Sequence, residues 1–167
     1  MTDLMKAGVW VEPERIEIRE VERPQPGPGE ALVKVAYAGI CGTDVSVYVG
    51  KHPRAKPPLV MCHEFVGTII QADGDAFPEG ARVVINPLLS CGACYPCTHG
   101  MPHLCEKLGL LGIDRAGGFA EYVLAPLHTI RPLPPSLPLV KAALIEPLAV
   151  GCHAVRASNL RGGDVTA

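Results

Sequence analysis

Apolar and polar residues alternate with a two-residue period over Glu30–Ala38 (EALVKVAYA), which predicts a strand with one buried face and one wetter face. Ile16–Val21 alternates in the same way and stops sharply at the PQPGPG stretch, residues 24–29. Glu64–Ala72 (EFVGTIIQA), Ala81–Asn86 (ARVVIN, after an FPEG turn) and the glycine-led GGFAEYVLAP ending at Pro126 are further strand candidates. Short strands at this spacing, punctuated by Gly and Pro, predict a mostly β, barrel-like core. The pattern changes after Pro138. Leu139–Ser158 is rich in Ala, Leu and Val and reads as helix, with an interruption at Glu146-Pro147. Proline suits a first helical turn and restricts the residue before it, so Glu146 is expected to project from a helix start. The last residues, LRGGDVTA, read as the approach to another strand. The expected division is 1–138 for the barrel and 139–167 for the helix and a linker.

Composition narrows the class. In 167 residues, 48% are hydrophobic and 19% charged, the profile of a globular protein rather than a disordered one. A net charge of -2 argues against a nucleic-acid footprint, which is normally basic. Apolar runs are broken by Lys34, Lys141, Glu146 or Pro147, so no membrane span is expected. The N-terminal MTDLMKAGVW lacks a signal-like hydrophobic region, which makes a cytoplasmic protein the expectation.

Seven cysteines carry more information than any of these averages. Cys91, Cys94, Cys97 and Cys105 follow the spacing C-x2-C-x2-C-x7-C. Cysteines buried for packing scatter along a chain, whereas these recur within one loop. Four thiolates make a closed tetrahedral set with no position left for a substrate, so residues 88–107 read as a structural zinc lobe. Cys41, Cys62 and Cys152 remain. Candidate ligands of a second site lie in GICGTD (Cys41, Asp44), MCHEFVG (His63, Glu64) and IEPLAVG (Glu146). One thiolate, one imidazole and one or both glutamates would suit a catalytic zinc, which takes mixed S, N and O ligands and keeps one position open. Taken singly, each of these residues has an ordinary structural explanation.

Their order decides between the two. GICGTD, CHEFVG, the four-cysteine lobe, GGFAEYV and EPLAVGCHAV occur in a sequence that resembles the zinc-dependent medium-chain alcohol dehydrogenases over essentially the whole chain. The Glu146-Pro147 segment is most similar to the polyol, threonine and butanediol dehydrogenase branch. The resemblance implies a GroES-like, partly open β-barrel catalytic domain with two zinc ions, acting with NAD or NADP held by a Rossmann domain. The substrate it implies is a small alcohol or polyol, and the longer parent enzyme would be a homodimer or homotetramer, with no nucleic-acid or membrane partner. By position, Cys41 and His63 would ligate the catalytic metal, with Glu64 and Glu146 binding it directly or through water. Asp44 would accept a hydrogen bond from His63 and fix its tautomer. Thr43 would relay the substrate proton outward, with Ser46 next on the path where many relatives carry a histidine. The implied reaction is metal-assisted hydride transfer from an alkoxide to nicotinamide, oxidising a secondary alcohol to a ketone.

Several positions depart from that pattern. Cys62 replaces the usual glycine before His-Glu, and reads as one small residue standing in for another. Cys152 and His153 are expected in core packing, and His99 and His103 on the surface of the lobe. No G-x-G-x-x-G fingerprint is present; Gly27-Pro28-Gly29 precedes a strand rather than a helix. The 167 residues alone are therefore expected to bind zinc without turnover. Two other readings compete. A non-enzymatic zinc-binding module would use the lobe for contacts with a partner. Nucleophile chemistry at Cys62-His63 or Cys152-His153 is disfavoured, because sequence neighbours on a strand or helix diverge.

Overall fold

The computed structural model describes residues 3–158 and 161–164. Met5, Ala7 and Val9 point inward along strand β1 (Leu4–Glu12), an alternation that suits a half-buried strand. A turn carries the chain into β2 (Arg15–Glu22), which pairs antiparallel with β1 in register Leu4↔Glu22 to Glu12↔Arg15. On the other side of β1 lies the two-residue β4 (Leu59–Val60), giving the order β2-β1-β4.

The larger sheet contains β3 (Glu30–Ala38), β5 (Phe65–Ala72), β6 (Arg82–Ile85), β9 (Tyr122–Pro126) and β10 (Ile130–Pro132). Its order is β10-β6-β5-β3-β9, and every strand pairing among the described residues is antiparallel. A parallel dinucleotide-binding sheet is therefore absent from the described residues. The β3–β5 register shifts at Leu32/Val33 and Val35/Tyr37, irregularities that curve a sheet toward closure. An Ala7↔Ala120 bridge and the bond from Gly8 N–H to the Phe119 carbonyl (2.7 Å) join the two sheets. Phe65, Ile69, Val83, Ile85, Leu111 and Val123, all at most 3% exposed, form the core of the larger sheet, while Trp10 and Leu59 of the smaller sheet pack with Val47, Met61 and Ile113 in a second cluster. The mostly β, partly open barrel is thus observed.

Three expectations need correction. In β3 the alternation fails at its start: Ala31, Leu32 and Val33 are all buried, because β3 is an interior strand covered on both faces there. The C-terminal helix breaks earlier than Glu146-Pro147. Helix α3 is Leu139–Ala142 and helix α4 is Ile145–Ala157, so Ala143-Leu144 forms the break and Pro147 sits within the first turn of α4. A proline there removes an N–H that would have no helical partner in any case. Cys152 and His153 are exposed rather than packed in the core, since the described chain lays nothing over that part of α4. The remaining helices are α1 (Gly42–Tyr48) and α2 (Tyr95–Thr98); β7 (Leu88–Leu89) and β8 (Gly109–Leu110) form a small hairpin. No helix among the described residues is long and apolar enough to cross a membrane. Of LRGGDVTA, expected to approach another strand, Leu160 and residues 165–167 lie outside the described ones.

Candidate metal centres

The β7–β8 hairpin frames the loop that carries the four-cysteine cluster. Cys94 precedes α2, Cys97 lies within it, and Cys105 follows a 3-10 turn at Pro102–Leu104. All four are free thiols whose sulfurs gather closely: Cys94–Cys97 at 3.4 Å, Cys94–Cys105 at 3.8 Å and Cys91–Cys97 at 4.0 Å. Four sulfurs at a Zn–S distance of ~2.3 Å would be ~3.8 Å apart along a tetrahedron edge. Disulfide bonding needs about 2 Å, so the cluster has metal geometry. Backbone N–H groups aim at the sulfurs, Cys91 N–H and Lys107 N–H at Cys105 Sγ and Cys94 N–H at Cys91 Sγ, each at 3.3–3.4 Å. Donors from Ala93 and Cys94 lower the Cys91 thiol to about 6, while burial and its bond with Cys94 push Cys97 up to about 12. As expected, His99 and His103 are exposed, with His99 stacked on Tyr95 at 3.9 Å.

The second site forms where three segments meet. Cys41 lies between β3 and α1, His63 and Glu64 lie between β4 and β5, and Glu146 opens α4. One ligand atom from each of Cys41, His63 and Glu64 falls within 4.8 Å of the others. His63 and Glu64 are 6% and 8% exposed. His63 Nδ1 is buried with no hydrogen-bond partner, and the Glu64 carboxylate has neither an ion pair nor a hydrogen bond among the described residues. An unpaired carboxylate beside an unpartnered imidazole is costly unless a cation joins them. The sulfur, nitrogen and oxygen donors fit zinc.

Glu146 stands next to this group without belonging to its tightest cluster. Half-burial raises its carboxyl above the usual carboxylate range; His63 opposes that shift and Glu64 adds to it. Thr43 Oγ1 lies 3.7 Å from Cys41 Sγ. Ser46 is half-buried on α1, and its carbonyl accepts the N–H groups of Lys51 and His52. Asp44 behaves differently from expectation. Its Oδ2 accepts from Cys41 N–H at 2.9 Å and its Oδ1 from Cys62 N–H at 3.0 Å, so the carboxylate is engaged by the backbone and makes no hydrogen bond with His63.

The chain approaches itself very closely around these ligands. The 117–119 segment donates three backbone bonds to 60–62: Gly117 to Val60 (2.8 Å), Gly118 to Cys62 (3.0 Å) and Phe119 to Met61 (3.1 Å). Gly39 donates to the Glu64 carbonyl at 2.7 Å, and a Cβ on Gly39 would collide with Glu64 Oε2. Sequence reasoning treated GGFAEYV as a strand and missed this clasp. The adjacent glycines Gly117-Gly118 were its only signal.

Cys62 is fully buried with φ +82°, which explains why glycine is the usual occupant of this position. Burial and the Asp44 charge push its thiol up to about 12, leaving it a neutral donor toward the carbonyls of Gly39 and Glu64. Nucleophile chemistry at Cys62-His63 does not fit such a group. Cys62→Gly should alter stability by no more than ~1 kcal/mol, since relieved strain offsets the lost thiol contacts. Cys62→Val should cost at least ~2 kcal/mol, because a β-branched residue tolerates positive φ poorly. Urea unfolding of both variants provides the check.

The sequence profile of the alcohol dehydrogenase GroES-like domain matches residues 27–135. The chain belongs to this family. L-threonine 3-dehydrogenase from Pyrococcus horikoshii is 37% identical over 89% of this chain and 44% of its own length. The structure of RspB, an alcohol dehydrogenase from Escherichia coli CFT073 complexed with NADH, superposes with a TM-score of 0.88 at 36% identity, covering 97% of this chain and 48% of that one. The cobalt- and zinc-bound thermostable alcohol dehydrogenase from Pyrobaculum aerophilum superposes with a TM-score of 0.83 at 32% identity, covering 93% and 49%. The chain thus spans about half the length of the relatives it matches, and aligns with the zinc-type alcohol, polyol and threonine dehydrogenases of the GroES-like family.

Proposed function

We propose that residues 1–138, with the lobe at 88–107, form the metal-holding catalytic domain of an NAD- or NADP-dependent dehydrogenase for a secondary alcohol or polyol. Residues 139–167 then supply α4 and a link toward a cofactor-binding domain. The observation supporting this most strongly is the convergence of Cys41, His63 and Glu64 within 4.8 Å, with His63 Nδ1 buried and unpartnered. A zinc ion held by this set would supply Lewis acidity toward an alcohol or carbonyl oxygen. Cys41 and His63 would be its ligands, and Glu64 and Glu146 would complete the set directly or through water. The Thr43 hydroxyl, beside Cys41 Sγ, takes the substrate proton as the alcohol is oxidised, and Ser46 passes it outward along α1. His63 and Glu64, at 6% and 8% exposure, are shielded from bulk water. The lobe uses all four thiolates structurally and takes no part in the proton path. The longer parent enzyme is a homodimer or homotetramer.

Metal analysis of the purified chain tests this reading. Two zinc ions per chain are expected, falling to one in Cys41→Ala. One metal in both proteins would favour a binding module in which the lobe alone acts, through its exposed Tyr95 (67%) and Leu104 (57%). The 167 residues by themselves should give no turnover with NAD+ and an alcohol. Full activity would overturn the need for a separate cofactor domain.

A further inference from the structure

Asp44 is the one acid among the described residues at 2% exposure, and both its oxygens are spent on main-chain donors. One donor belongs to Cys41, a proposed ligand. The other belongs to Cys62, whose next residue is His63, a second proposed ligand. These two segments are separated by 18 residues between Asp44 and Cys62 and come from different parts of the barrel. We infer that Asp44 is a positioning residue that staples the backbone of the Cys41 segment to that of the His63 segment and so sets the ligand spacing before a metal binds.

The surroundings of Cys62 are arranged to receive the staple. Its positive φ turns its N–H toward Asp44 Oδ1 while its carbonyl accepts Gly118 N–H and its thiol reaches the Gly39 and Glu64 carbonyls. Three directions of approach thus hold one residue in a conformation it would not adopt alone. On the other side, Asp44 is the third residue of α1, and its bond to Cys41 N–H closes the first turn at which the Cys41 thiol is presented. Because the two oxygens belong to one rigid carboxylate, displacement of either segment moves the other. The ligands are then held apart at a fixed span without a hydrogen bond between Asp44 and the imidazole.

This inference rests on the proposed metal site, and cobalt titration of the metal-free 167-residue chain separates the two. Thiolate-to-cobalt absorption should report a second ion beyond the lobe in the wild-type chain; its absence would overturn the metal site itself. Asp44→Asn keeps the side-chain volume but presents an NH2 donor to one of the two backbone N–H groups. It should weaken the second ion ~10- to 100-fold and leave the lobe's cobalt spectrum unchanged. Asp44→Glu keeps the charge but not the span, and should fail to restore affinity. Recovery by Glu, or unchanged affinity in Asn, would overturn the staple. Amide exchange supplies a second readout. In the metal-free wild-type chain, the Cys41 and Cys62 N–H groups should be protected, and at least one of them should lose protection in Asp44→Asn. Unprotected amides in the folded metal-free chain would overturn the inference, as would an affinity loss in Asn that leaves both amides protected.

Discussion

Gly117→Ala is expected to lower the unfolding free energy by about 3–5 kcal/mol and to remove the second metal ion along with it. A Cβ at position 117 would lie 1.9 Å from the Cys62 carbonyl oxygen and 2.6 Å from the Met61 carbonyl oxygen and the Gly112 Cα. Every one of these neighbours is backbone, so no rotamer change relieves the collision. The 117–119 segment must retreat, and its three bonds to 60–62 stretch or break together. At about 1 kcal/mol for each bond, with further cost for donors and acceptors left unsatisfied, the loss is a large share of an ordinary domain's stability. The same retreat frees Cys62, and with it the His63 and Glu64 backbone. Urea unfolding and metal content should therefore fail in the same protein. Gly151→Ala, in α4 with open space at its Cβ, makes the control: it should be neutral or stabilising by up to ~1 kcal/mol. Wild-type stability in Gly117→Ala would mean that the clasp does not hold the site.

That prediction could not have been made from the sequence. Strand alternation located most of the large sheet because exposure alternates on any strand covered on one side, and the deviation in β3 marks where both sides are covered. Strand β1 was overlooked, although Met5, Ala7 and Val9 carry a regular alternation, because Leu4 and Trp10 blur the polar positions between them. The cysteine spacing revealed the lobe directly, since four ligands from one short loop need no long-range folding to meet. Cys41, His63 and Glu64 come from separate segments, and only resemblance grouped them. Their spatial convergence depends on β3, the clasp and α1 being assembled correctly. Asp44 illustrates the limit most clearly. Its type and position indicated a supporting acid, but whether it met an imidazole or two backbone amides depended on the φ of Cys62, a quantity no local pattern reveals.

Removing the lobe's metal should free residues 91–107 and leave the barrel folded. Of the residues from Cys91 to Cys105, Cys105 alone is buried, at 7% exposure, and none joins an apolar core cluster. A four-residue helix and a 3-10 turn cannot hold such a loop, since isolated short helices are marginal. Metal binding in comparable small sites supplies about 10–16 kcal/mol, nearly all of the local order. Chelation, or Cys94→Ser, should therefore raise proteolytic cleavage within 91–107 by at least ~100-fold while slowly exchanging amides in β3, β5 and β6 keep their protection. Simultaneous loss of that protection would show that the lobe supports the barrel after all. Acid should act in the same direction, because protons compete with the metal for sulfur and the metal-bound form carries fewer of them. With Cys91 lowered to about 6, its proton is already largely gone at neutral pH, so fewer than four protons should be released on metal uptake there. Below about pH 6 Cys91 must also be deprotonated by the metal, and affinity should fall with decreasing pH by one proton more steeply than above it. A competition titration across that range measures both slopes. Equal slopes would mean that the backbone donors of Ala93 and Cys94 do not hold a thiolate at Cys91 before the metal arrives.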